Sequence, residues 1–187
     1  MNENTCAVIL EPVQGEGGIF EASEEFLKGI RALCDEKDIL MICDEIQCGM
    51  GRTGYMFAAD RYGVKPDIMT VAKALGGGLP VGAFLTTEKA AALVPGDHGS
   101  TYGGNPLAGA AACAVLDIFE EEKLTQNAAA VGAYLYEKLE ALKAECDVIR
   151  DHRGVGLIQG IELTVPVSDI IKKALDKGLI IISAETT

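Results

Sequence analysis

Tryptophan is absent from the sequence, histidine occurs twice, and basic residues are scarce: Lys and Arg number 16 against 28 Asp and Glu, a formal net charge of −12. A nucleic-acid binder needs a basic footprint to displace counterions, and this chain has none. An anionic membrane surface would repel it as well. No apolar run approaches the roughly 18 residues that a bilayer span requires. The start, Met1-Asn2-Glu3-Asn4, is acidic and polar, unlike the basic and then apolar opening of a signal peptide. The cytoplasm is therefore the expected location. No Cys-x-x-Cys pair occurs, and His98 and His152 lie far in sequence from any pair of cysteines, so no metal site is expected. The 6 cysteines read as reduced thiols at small apolar positions, Ala112-Cys113-Ala114 being the plainest case. What is abundant is aliphatic material: 49% of residues are hydrophobic and 24% charged, the balance of a globular chain.

Residues 6–10 are a short apolar run closed by Glu11-Pro12, the pattern of a buried strand. Ser23 is placed to cap a helix with Glu24 and Glu25 in its first turn, and Phe26, Leu27, Ile30, Leu33 and Cys34 follow helical spacing. Apolar runs at 39–43, 68–71 and 81–85 predict three further strands. Continuous apolar strands separated by polar loops and helices predict an α/β fold with a sheet covered on both faces. Asn105-Pro106 opens an Ala-rich helix. A second helix is predicted to carry Val131, Tyr134, Leu135, Lys138, Leu139 and Leu142 on one stripe. Strands are expected at 148–150 and 157–163, a short helix at 168–177 stopped by Gly178, and a last strand at 179–182. A boundary near residue 121 divides an α/β part, 1–120, from a smaller α+β part, 121–187.

Gly49-Met50-Gly51-Arg52-Thr53-Gly54 follows a predicted strand and satisfies the dinucleotide pattern G-x-G-x-x-G. That fingerprint must open a long helix and lead to a strand ending in an acid. Here only 55–62 has helical character, Pro66 follows soon after, and the next strand ends in Ala72-Lys73. A dinucleotide site is not expected. Asp44 closes one predicted strand and Lys73 follows the next. Ligands of open α/β sheets gather at the carboxyl ends of strands. An acid and a lysine delivered there suit pyridoxal phosphate: Lys73 would form the Schiff base, and Asp44 would keep the pyridine nitrogen protonated so that the ring acts as an electron sink. By themselves, two such residues are better explained as a surface ion pair.

The surrounding words change that balance. Glu11-Pro12-Val13-Gln14-Gly15-Glu16-Gly17-Gly18, Asp44-Glu45-Ile46-Gln47-Cys48-Gly49, Pro66-Asp67-Ile68 with Ala72-Lys73-Ala74-Leu75-Gly76-Gly77-Gly78, and His98-Gly99-Ser100-Thr101-Tyr102-Gly103-Gly104-Asn105-Pro106 occur in that order. In these motifs the chain resembles the class III (subgroup II) pyridoxal-phosphate-dependent aminotransferases, nearest to the branch acting on N-acetylornithine. The resemblance implies part of a fold-type I transferase: a portion of the large, mainly parallel sheet domain and a truncated C-terminal domain. It implies that Lys73 binds the cofactor covalently, buried beside it, and moves the substrate proton. Asp44 would pair with the pyridine nitrogen and Gln47 with the phenolic oxygen. Ile46 would pack on one ring face, with Glu45 beside it among the cofactor contacts. Thr101 would reach the phosphate in a neighbouring subunit, Ser100 would contact substrate, and Glu16 would act as the substrate-gating glutamate. The implied reaction is amino transfer from N-acetylornithine to 2-oxoglutarate in arginine biosynthesis, by a homodimer. Ornithine, succinylornithine and 4-aminobutyrate are alternative donors.

Members of that family are about twice as long. The first half, with its phosphate-binding loop and ring-stacking aromatic, has no counterpart here, and neither Arg150 nor Arg153 occupies the motif that binds the substrate carboxylate. A dianionic phosphate needs several convergent donors. The isolated chain is therefore expected to bind the cofactor weakly, to have little turnover, and to expose apolar surface. A non-catalytic fragment or assembly subunit is the alternative of a different kind.

Overall fold

The computed structural model describes residues 1–184. The chain runs through β1 (Ala7–Leu10), a ribbon of β2 (Val13–Gln14) and β3 (Phe20–Glu21), α1 (Glu24–Lys37), β4 (Leu40–Asp44), α2 (Ala58–Arg61), β5 (Ile68–Val71) and β6 (Ala83–Thr86). There follow α3 (Pro106–Glu121), α4 (Leu124–Glu145), β7 (Ile149–Val155), β8 (Ile158–Leu163) and α5 (Ser168–Asp176). The main sheet has the order β1-β4-β5-β6; β1, β4 and β5 are parallel and β6 returns antiparallel.

Local chemistry sets the helices that cover this sheet. Ser23 caps α1 by accepting the Phe26 N–H at 3.1 Å, and Asp38 ends the helix in the left-handed conformation at φ +51°. Leu27 and Cys34 then face Met41 and Cys43 of β4, with Val8 and Leu10 of β1 beside them. Asn105 caps α3, with Pro106 in its first turn. The inner side of α3 brings Ala112, Val115 and Phe119 against Val71 and Leu75. Arg31 on α1 pins the strand ends: its guanidinium lies 2.7 Å from Asp67, which also accepts the Met41 N–H at 2.8 Å. Burial alone would raise the Asp67 carboxyl, but the Met41 N–H and the Arg31 charge outweigh it and hold it below its ordinary range.

Both helices lie on one face of the sheet, and this corrects the expectation of two covered faces. Alternation along the strands turns Ile9, Ile42, Ile68 and Phe84 to the other side, where Ile9 is 65% and Phe84 54% exposed. The α4 stripe also needs correction. Its buried residues are Ala128 and Gly132, whereas Val131, Tyr134 and Leu142 are exposed. Phe26 is likewise exposed. Cys34, Cys43 and Cys48 are buried thiols as expected, but Cys6 and Cys113 are exposed. Residues 179–182 form no strand.

The predicted strands at 148–150 and 157–163 prove to be arms of one antiparallel hairpin, β7–β8, turned at Gly156-Leu157. Gly156 has φ +57°, and a Cβ there would stand 2.6 Å from the Arg52 carbonyl oxygen. A Cβ on Gly132 of α4 would meet Gly156 at 2.5 Å. The G-x-G-x-x-G segment is thus wedged against this hairpin by bare backbone, and the Leu157 N–H donates to the Arg52 carbonyl at 2.8 Å. His152, on β7, joins the hairpin to α4 through Glu140 at 2.7 Å and pairs with Gln159 of β8 at 3.0 Å. Among the described residues no helix is long and apolar enough to cross a membrane.

Candidate active site

Parallel pairing of β4 with β5 brings Asp44 into register with Thr70, and Lys73 begins the 3-10 turn two residues beyond β5. The acid and the lysine therefore leave adjacent strands at their carboxyl ends. Asp44 is half-buried and Oδ1 accepts the Ile46 N–H at 3.0 Å. Strand alternation puts Thr70 on the same face as Asp44, and its buried hydroxyl has no hydrogen-bond partner. Lys73 is exposed rather than buried, which corrects the burial that the resemblance implied. It has φ +47°, a conformation that bulky residues adopt only when the surrounding structure holds them there.

A second contact comes from the loop after β2. Gln47, half-buried, donates through Nε2 to Glu16 Oε1 at 3.0 Å. It reaches Glu16 over Gly15, where a Cβ would lie 1.4 Å from Gln47 Oε1. Ile46 is also half-buried. Ser100 and Thr101 lie on the exposed loop ahead of α3, where Ser100 Oγ accepts the Gly103 N–H at 2.9 Å. Among the described residues they make no hydrogen bond to Asp44, Gln47 or Lys73. The structure thus joins Glu16 to Gln47 and aligns Asp44 with the Lys73 turn, but leaves the Ser100-Thr101 pair apart.

The Glu45 side chain is engaged inside the fold, at the start of α2. It is 1% exposed, and its two oxygens accept the N–H groups of Ala58 and Ala59, each at 2.8 Å, at the start of α2. Cys48 Sγ lies 3.3 Å from it. Burial pushes the Glu45 carboxyl up even though these donors oppose the shift. Burial also pushes the Cys43 thiol up to about 12 and raises Cys48, so neither is a ready nucleophile at neutral pH. Two participants are given no role by the sequence motifs. Thr70 is hidden inside an apolar strand, where alternation from Asp44 is the available signal. Gly15 passes as an ordinary loop glycine, although its place beside Gln14 and Glu16 marks a crowded turn.

An open α/β sheet with polar groups collected at its strand ends is the architecture of a ligand-binding enzyme domain. The family model for class III aminotransferases matches residues 1–187. The chain is 51% identical over 182 residues to an acetylornithine aminotransferase of Methanocaldococcus jannaschii, covering 97% of this chain and 46% of that protein. It is 50% identical over 186 residues to an acetylornithine aminotransferase of Clostridium acetobutylicum, covering 98% and 48%. The structure of Plasmodium falciparum ornithine δ-aminotransferase superposes with a TM-score of 0.93 at 42% identity, covering 97% of this chain and 49% of that one. An acetylornithine aminotransferase of Elizabethkingia anophelis gives 0.88 at 38% identity, covering 93% and 45%. The chain belongs to the class III aminotransferase family, which is pyridoxal-phosphate-dependent and of fold type I. It spans about half the length of the curated relatives it matches.

The residues present fit the ring end of that cofactor. A carboxylate stands at one strand end, an amine on a strained turn at the next, and an unpaired buried hydroxyl beside the acid.

Proposed function

We propose that this chain is the lysine-bearing half of an aminotransferase that moves the amino group of N-acetylornithine to 2-oxoglutarate, a step of arginine biosynthesis. Relatives near 50% identity that carry the acetylornithine name support that donor; ornithine, succinylornithine and 4-aminobutyrate are the alternatives. The supporting observation at the site is the delivery of Asp44 and Lys73 by adjacent parallel strands. Bound there, pyridoxal phosphate supplies an electron-poor ring that weakens the substrate Cα–H bond. Asp44 keeps a proton on the ring nitrogen by charge and hydrogen bonding. Lys73 Nζ would take the substrate Cα proton as a general base and, as an acid, return it two atoms along, to the carbon on the far side of the amino nitrogen. Gln47 orients the phenolic oxygen, Ile46 packs on the ring, and Glu16 guards the substrate side. Thr101 and Ser100 serve phosphate and substrate from their exposed loop, in keeping with a role across a homodimer interface. We assign 1–120 to the cofactor domain and 121–187 to the small domain, and place the protein in the cytoplasm.

Treatment of the chain with pyridoxal phosphate and then borohydride is expected to give a weak adduct that peptide mass spectrometry locates on Lys73 and that Lys73→Ala abolishes. An adduct spread over surface lysines with no preference for Lys73 would overturn the assignment. A second reading, a chain that works only with a separate polypeptide, is favoured by the exposed sheet face bearing Ile9 and Phe84. Co-purification of a chain carrying the other half would distinguish it.

A further inference from the structure

Arg153 contributes to none of the motifs that carry the family likeness, yet it spans two parts of the molecule. From β7 it reaches the β2–β3 ribbon, where its guanidinium carbon lies 4.2 Å from the centroid of the Phe20 ring. Its Nε donates to the Gly18 carbonyl at 2.8 Å. Nη1 donates to Asp151 at 3.1 Å and Glu162 at 2.9 Å, both on the β7–β8 hairpin. The hairpin acids thus hold the fork from behind while its edge and its flat face engage the ribbon.

The point it grips is the closure of a tight turn. The N–H groups of Gly18 and Ile19 both donate to the Gly15 carbonyl, at 3.1 and 3.3 Å. Glu16 and Gly17 form the tip between them, and Glu16 accepts from Gln47. The turn is under strain: Ile19, a β-branched residue, stands at φ +59°, a conformation that must be imposed from outside. The same hairpin supplies a second restraint, since Ile19 rests where Gly160 lacks a side chain; a Cβ there would stand 2.9 Å from Ile19 Cγ1.

We propose that Arg153 is a positioning residue that clamps the Gly15-to-Ile19 turn from the C-terminal hairpin and so fixes where Glu16 meets Gln47. The importance of that meeting for catalysis rests on the proposed function; the clamp itself does not. Lysine cannot replace it, because a point charge lacks a planar fork able to stack on Phe20 and donate sideways in one pose.

The test uses the isotopically labelled chain without cofactor and reads the Gln47 side-chain amide signals by NMR. Glu16→Ala sets the signal positions of the broken contact. Arg153→Met is expected to move the Gln47 signals to those positions while far-UV circular dichroism stays that of the folded chain, and Arg153→Lys to recover only part of the shift. If Arg153→Met unfolds, Phe20→Leu decides, since it removes the platform and leaves the hydrogen-bonding groups in place; a smaller shift in the same direction is expected. Wild-type Gln47 signals in folded Arg153→Met, or in Phe20→Leu where the first variant unfolds, would overturn the clamp. Failure of the catalytic reading would show separately, as a missing Lys73 adduct.

Discussion

The Glu45 carboxylate accepts the Ala58 N–H at 2.8 Å, and its other oxygen serves Ala59, so α2 starts on a buried acid 13 positions earlier in the chain. Few groups could replace it there, because no other side chain among the described residues accepts those two donors. Glu45→Ala is expected to lose about 2–5 kcal/mol, as two buried donors are left unpaired. Urea denaturation measures the loss, and a change within about 1 kcal/mol, roughly the scale of a neutral surface substitution, would contradict the assignment.

The same carboxyl gives a pH dependence of definite sign. Its folded-state pKa is raised above the ordinary 4.5. Its stabilising contribution is therefore complete below that value and is lost as pH rises through the folded value. Asp67 acts oppositely: its folded pKa is depressed below 3.8, so its contribution is present above that value and is lost as pH falls through the folded one. Asp67→Asn should flatten the acid limb of a stability–pH curve, and Glu45→Gln the limb above 4.5. Chemical denaturation across pH checks both. An acid limb unchanged in Asp67→Asn would count against the Arg31 pairing.

Gly156→Ala combines an unfavourable backbone conformation with a collision against the Arg52 carbonyl. Gly63 isolates the first effect, having φ +63° but nothing within 4 Å of the point where an added methyl would stand. Gly63→Ala should cost about 1 kcal/mol and Gly156→Ala about 2–4 kcal/mol. Equal losses in thermal or urea unfolding would remove the close approach as a cause.

Gly15→Ala tests function apart from stability. The atoms nearest the added methyl belong to the flexible end of Gln47, so stability should change by less than about 1 kcal/mol. The yield of borohydride-trapped adduct at Lys73 should nevertheless fall, because Gln47 is displaced. An undiminished yield would detach Gln47 from cofactor binding.

The strands that position this site are legible because residues such as Ile39, Met41 and Cys43 lie in continuous apolar runs of strand length bounded by polar residues. Ser23 and Asn105 announce their helices through side-chain oxygens that cap locally. Features that depend on distant neighbours are not legible. Leu179 and Ile180 carry strand-like chemistry, but a strand exists only with a partner, and among the described residues none pairs with them. Periodicity cannot tell which side of α4 packs, because the contact is made by Ala128 and Gly132, with Tyr136 and Glu140 meeting His152, off the apolar stripe. Adjacency groups Glu45 with Asp44, although successive residues leaving a strand point to opposite sides. Arg153 gives no local signal, since its partner Gly18 is 135 positions away.

Lys73 stands at φ +47°, where glycine would be relieved of about 1 kcal/mol of strain. Lys73→Gly should therefore raise the melting temperature of the chain while abolishing the adduct. Folding alone favours losing the lysine. In a lineage released from the chemistry, drift and selection for stability would act in the same direction at this position, whereas at Leu75 or Val71 they would oppose each other. Disuse would show at position 73.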